Sequence, residues 1–203
     1  MGKSGYHHKN LKEEMIINSI RIMGTEGYDS FSMRKVAKAC GVSHTAPYRH
    51  FKNKENLIAA VIDEVNNKFN QFLKEAMSKH PGDNRNQLRE MAFSYVEFLI
   101  KNPEYMRFLF FSDFNRKFSE EQLDKSLPYN MSLPYQTFIQ AVRDYRTSLL
   151  EQSKNPADEE ELILFAWGLA HGIAVLITQN YFQYQGDYLA LIRQIMWDVD
   201  FIR

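Results

Sequence analysis

The segment from Phe31 to Lys54 constrains this chain more than any other, because it reads as two short helices forced apart by one glycine. Val36 and Ala37 give the first helix a buried side, which leaves Arg34, Lys35 and Lys38 for solvent or phosphate. Gly41 stands where the chain must turn sharply, and glycine enters the left-handed backbone region without a Cβ clash. Val42 can fill the space between the helices. Ser43 is the expected N-cap of the second helix, its hydroxyl accepting from an orphan amide two or three residues on. That helix, expected over 44–51, presents His44, Thr45, Tyr48 and Arg49. Turn, cap, buried positions and basic outer face together describe a helix-turn-helix.

The rest of the chain keeps the same period. Alternation of Val, Ile and Thr is nearly absent, so an all-α fold is expected. Helices are expected over 9–24, 32–40, 44–51 and 54–79, the last with Leu57, Val61, Val65, Phe69, Phe72 and Met77 as an inward stripe. His80-Pro-Gly-Asp-Asn84 breaks it. Further helices follow over 86–101 and 134–152, a short one over 119–124, and one beginning at Asp158 whose acidic first turn suits the positive end of the macrodipole. Gly186 is expected to end that helix, and 187–202 to close the chain.

Zero net charge hides an asymmetry: residues 1–60 hold ten Lys/Arg against five Asp/Glu, and the remainder is acidic by the same margin. A basic head on an acidic body suits a protein that offers one end to DNA. Cys40 is the single cysteine, which excludes an internal disulfide and a Cys-based zinc site and fits a reducing cytoplasm. Its expected role is a small apolar residue at the end of a motif helix. The N-terminus has no apolar run of a secretory signal. Residues 162–186 contain no Asp, Glu, Lys or Arg, but the densely apolar part, 162–177, falls short of the roughly twenty residues of a spanning helix. A buried helix is expected there, not a membrane anchor.

The motif resembles the DNA-binding domain of the TetR family of transcriptional regulators. The resemblance rests on Ser32-Met-Arg-Lys-Val-Ala, Gly41-Val-Ser and Tyr48-Arg-His-Phe-Lys-Asn-Lys-Glu-Asn-Leu57, preceded by Ile16, Ile20, Met23 and Gly24-Thr-Glu-Gly-Tyr28. One departure is Thr45-Ala46-Pro47, since proline is tolerated only in the first turn of a helix. The recognition helix is therefore expected to start late or be distorted. Trp167-Gly-Leu-Ala-His-Gly172 is similar to a Trp…His-Gly signature of one TetR subgroup's regulatory domain.

The resemblance implies a three-helix helix-turn-helix domain over 1–55 and a helical effector-binding and dimerisation domain over 56–203. It implies phosphate contacts from Ser32, Arg34, Tyr48, His50 and Lys54, with Ser43, His44 and Thr45, which open the recognition helix, placed for bases. Apart from the resemblance, Lys3 and Lys9 are expected to add a flexible phosphate-seeking tail. Phe51 and Pro47 are expected to pack the domain instead. In the body, Phe93, Tyr95, Phe98, Tyr105, Phe108 and Phe111 belong to an aromatic cluster too rich for a minimal helical core. With Tyr135, Trp167 and His171 they are the candidate walls of an apolar effector cavity. Gly168 and Gly172 each cost about 1 kcal/mol in a helix interior, which close helix approach or ligand space would offset.

The function implied is a ligand-responsive repressor that binds double-stranded palindromic DNA as a homodimer, in the cytoplasm. Dimerisation is expected through the last two long helices, with Ala166, Ala170 and Ala174 as a small-residue stripe that admits a neighbour. No second His or carboxylate stands at ligand spacing from His171, so no metal and no cofactor are expected. An enzyme is disfavoured: the sequence has no Gly-rich phosphate loop and no Gly-x-Ser-x-Gly elbow. A helix-turn-helix used for protein contacts alone is disfavoured by the basic head.

Overall fold

The structure is a computed structural model that describes residues 10–111 and 132–198, and among these every regular element is helical. In order they are α1 (Leu11–Glu26), a 3-10 turn (Tyr28–Ser30), α2 (Met33–Ala39), a second 3-10 turn (Ala46–Arg49), α3 (Lys54–Met77), α4 (Asn84–Lys101) and α5 (Pro103–Met106). A π-helical turn (Arg107–Phe111), α6 (Leu133–Glu151), α7 (Glu159–Thr178) and α8 (Tyr188–Asp198) complete the set. The helix expected over 119–124, and Lys3 and Lys9, lie outside the described residues.

The described residues fall into two compact units, and the division runs inside α3, after Val65. Sequence reading sets the joint between 55 and 56; the first turns of α3, carrying the buried Leu57, Ile58, Val61 and Val65, belong with the N-terminal unit. That unit also takes the π-helical turn, which packs on α1. Its core draws Met15, Ile20 and Met23 from α1, then Tyr28, Phe31, Val36, Phe51 and Phe108. Ser19 is buried among them and is satisfied locally, its hydroxyl donating to the Met15 carbonyl at 2.6 Å.

In the C-terminal unit α4 is the central helix, packed by α6, α7 and α8. Nearly every side chain from Leu88 to Leu99 is buried, including Arg89, Glu90 and Ser94. A helix enclosed on all sides must bury some polar groups, and it must pair them. Glu90 accepts from Arg193 Nη1 at 3.0 Å, from Arg193 Nη2 at 3.3 Å and from Lys79 at 3.1 Å, with His80 Nε2 at 3.6 Å. The Arg193 guanidinium lies 3.9 Å from the Phe93 ring centroid and 5.0 Å from that of Trp197. α8 is thus fastened to α4 by charge and by stacking.

Two expectations need correction. α7 ends at Thr178 and not at Gly186, because Asn180 takes the left-handed conformation (φ 58°) and the Tyr181 amide donates back to the Leu176 carbonyl at 2.9 Å. The alanine stripe does not face outward. Leu162, Ala166, Ala170 and Ala174 are the buried residues of α7 within a single chain, and α4 is its main neighbour there. What α7 presents to solvent is Leu164, Phe165 and Leu176, with Gly168 and Gly172 open to space.

Candidate functional sites

The first site is the outer face of the helix-turn-helix. Ser32 caps α2, its hydroxyl accepting from the Lys35 amide at 3.2 Å. At the other end Gly41 holds φ +67°, and the Val42 amide donates to the Ala37 carbonyl at 3.0 Å, closing the helix in a left-handed turn. Val42 is half-buried. Beyond it the structure departs from the expected α-helix over 44–51: the second element is a 3-10 turn over Ala46–Arg49, with Thr45 and not Ser43 at its N-cap position. Pro47 is the cause. It sits in the first turn, where its missing amide costs nothing, and its own carbonyl accepts from both His50 and Phe51 at 3.0 Å. The Ser43 hydroxyl pairs instead with that of Thr45, 3.1 Å away.

Pro47 and Phe51 are buried, as expected of packing residues. Ser43, His44, Thr45, Arg49 and His50 are exposed, and Tyr48 is 57% exposed. Ser32, Arg34 and His44 border one shallow hollow together with Lys35 and Lys38. Lys35 is paired with Glu26. Lys54 is half-buried, its ammonium 4.1 Å from the Tyr28 ring centroid, a cation–π contact that sequence reading does not anticipate. Cys40 is buried at the end of α2. Burial pushes its thiol above the ordinary range, against a hydrogen bond from Asn18 Nδ2 at 3.5 Å. Such a thiol is a packing group and not a reactive one.

The second site is an apolar cavity of about 30 Å³ in the C-terminal unit. Its walls are Phe69 and Leu73 of α3, Leu88, Met91, Ala92 and Tyr95 of α4, Pro134, Tyr135 and Phe138 of α6, and Ala166, Trp167 and Ala170 of α7. Of the expected residues, Tyr95, Tyr135 and Trp167 line it. Trp167 meets Tyr135 edge-on at 5.6 Å between centroids. His171 stands behind Tyr95, whose hydroxyl lies 2.9 Å from His171 Nδ1. Burial holds the imidazole below its ordinary pKa, so it is neutral near pH 7.

The other expected wall residues are elsewhere. Phe93 points to α8, under Arg193. Phe98 stacks on the wall residue Phe69 at 4.7 Å and meets Tyr105 edge-on at 5.3 Å, so Phe98 and Tyr105 pack behind that wall and do not line the cavity themselves. Phe108 is buried in the N-terminal unit, and the side chain of Phe111 lies outside the described residues. Sequence reading misses Leu73, Leu88, Met91 and Phe138, which carry no signal distinguishing a wall from a core. Among the described residues no cluster of His, Cys, Asp and Glu could hold a metal ion.

Comparison with known proteins bears on both sites. Residues 18–61 match the family described as bacterial regulatory proteins, tetR family, and residues 88–199 match the tetracyclin repressor-like C-terminal domain. A curated relative, the HTH-type transcriptional regulator AcrR of Shigella flexneri, is 27% identical over 95 residues, which is 47% of this chain and 44% of that protein. The chain thus matches less than half of that relative's length. A TetR family transcription regulator from Marinobacter aquaeolei VT8 superposes with a TM-score of 0.66 at 19% identity, over 93% of this chain and 94% of the other. AibR, solved in complex with isovaleryl coenzyme A and operator DNA, gives 0.65 at 14% identity, over 92% and 95%. At these identities the likeness is one of fold.

Proposed function

This chain belongs to the tetR family of bacterial regulatory proteins, and we propose that it is a ligand-responsive transcriptional repressor, acting in the cytoplasm as a homodimer on a palindromic operator. Its role on this reading is regulatory and not catalytic. The carrying observation is that an exposed, basic helix-turn-helix face and a separate aromatic-walled cavity occur in one chain. Ser32, Arg34, Tyr48, His50 and Lys54 would hold phosphates, while Ser43, His44 and Thr45 would reach base edges. Two copies would set their recognition elements about one DNA turn, roughly 34 Å, apart. Trp167, His171 and Gly172 further support a place in the subgroup with the Trp…His-Gly signature.

The effector on this reading is an apolar or aromatic small molecule, and its binding releases the operator. Among the described residues none of the cavity's walls is charged, and the Tyr95 hydroxyl, paired with neutral His171, is a polar group at its edge. The coenzyme A thioester carried by AibR is anionic, so what such a ligand would share with these walls is its acyl end. Trp167→Ala is the test. Operator affinity without effector is expected to stay near wild type, and the effector response to weaken, measured by fluorescence anisotropy of a duplex that the wild-type protein selects from a random library. Loss of operator binding together with dimerisation would make Trp167 a structural residue and move the effector site elsewhere.

A further inference from the structure

The buried stripe of α3 is apolar from Leu57 to Ala76 except at Asn70, which is 8% exposed. Thr137 of α6 donates its hydroxyl to Asn70 Oδ1 at 2.6 Å. Packing does not require this pair, since replacing both members of a buried hydrogen bond by apolar groups of similar shape is close to neutral. Its position is more telling. Asn70 follows Phe69 and Thr137 precedes Phe138, so each partner adjoins a residue of a different cavity wall. α3 itself continues without a break to Lys54, in the N-terminal unit.

A cavity of about 30 Å³ holds around two water molecules, whereas organic ligands occupy sites about ten times larger. Some of the walls on α3, α4, α6 and α7 must therefore part or slide for a ligand to enter, and α3 and α6 are the pair joined by this bond. Apolar contacts tolerate sliding, but a hydrogen bond weakens steeply with distance and angle. We propose that the Thr137–Asn70 hydrogen bond is the link that makes a ligand-driven shift of α6 pull on α3. Both are positioning residues: neither need touch ligand or DNA. The inference rests on the reading that cavity occupancy controls the N-terminal unit.

The test uses the full chain and a neutral aromatic dye, N-phenyl-1-naphthylamine, as cavity probe. Dye fluorescence reports binding, and amide hydrogen exchange over residues 54–65 reports the response of α3 outside the cavity. In wild type the dye is expected to change that exchange by about fivefold or more, the lower end of ordinary coupling. Thr137→Ser, which keeps the hydroxyl, is expected to retain the response. Thr137→Val is expected to bind dye with similar affinity and to lose the response; if it folds poorly, the double variant with Asn70→Leu leaves no polar group unpaired. A structural role alone would alter stability without separating binding from response. A Thr137→Val response equal to wild type overturns the link, as does a wild type that binds dye with no change over residues 54–65. Failure of wild type to bind the dye at all would instead sink the cavity reading, and the link with it.

Discussion

Lys54 has two claims on its ammonium. The family motif assigns it to phosphate, yet the side chain is half-buried with its charge 4.1 Å from the Tyr28 ring centroid. The contact holds the side chain at the start of α3, and on the proposed reading the same ammonium also meets a phosphate. Lys54→Ala is expected to weaken binding to all DNA sequences alike, and to make the plot of log affinity against log salt shallower by about one unit. It also removes the stacking, which costs roughly 0.5–1 kcal/mol of stability. Salt titrations on two unrelated duplexes, read beside a thermal melt, separate the two roles. A lowered melt with an unchanged slope would give the ammonium to Tyr28 alone.

Between elements, the fastening of α8 to α4 has a definite pH signature. Burial by itself would raise the Glu90 carboxyl, but hydrogen bonds from Arg193 and Lys79 outweigh that and hold it below the ordinary carboxylate range. A carboxyl whose folded pKa is depressed contributes stability that is complete above its unfolded pKa, and that disappears as pH falls through the folded value. Glu90→Gln is therefore expected to cost about 1–3 kcal/mol at neutral pH. The gap to wild type should begin to close as pH falls below the ordinary carboxylate pKa of about 4.3. It should vanish only in stronger acid, below the depressed folded value, where the native side chain also becomes neutral. Urea melts across this pH range decide it, and a gap that persists in the stronger acid would assign the effect to shape.

Other element-level features differ in how far the sequence discloses them. The inward stripe of α3 is legible because Leu57, Val61, Val65 and Phe69 repeat at helical spacing. The end of α7 is not, because it depends on Asn180 adopting a left-handed conformation that periodicity cannot register. The stripe Ala166, Ala170, Ala174 is visible as a place of close approach, but small residues admit α4 of the same chain as readily as a second copy. The cavity is half legible for a related reason. Tyr95, Tyr135 and Trp167 stand out by type, whereas Phe93 and Phe98 lie on other faces of a helix buried all round.

At the scale of the whole molecule, the unresolved balance is the outward side of α7. Leu164 is 76% exposed, and Phe165 and Leu176 are about half exposed. By length and composition the helix could cross a membrane, with a mean hydropathy of 1.8 over its most apolar window. Two destinations compete for this surface, lipid and a second copy of the chain. The acidic first turn, with Glu159 tied to Arg143 at 2.9 Å, and the seating of the buried stripe against α4 favour the second copy. Gly172→Glu tests it, because a Cβ added there meets nothing within 4 Å among the described residues of its own chain. The variant is expected to fold, to sediment as a monomer, and to lose most of its operator affinity, since one half-site holds far less than two. Wild-type protein sedimenting as a monomer at micromolar concentration would overturn the dimer. Recovery of wild type in the membrane fraction, with Gly172→Glu soluble, would hand the face to lipid.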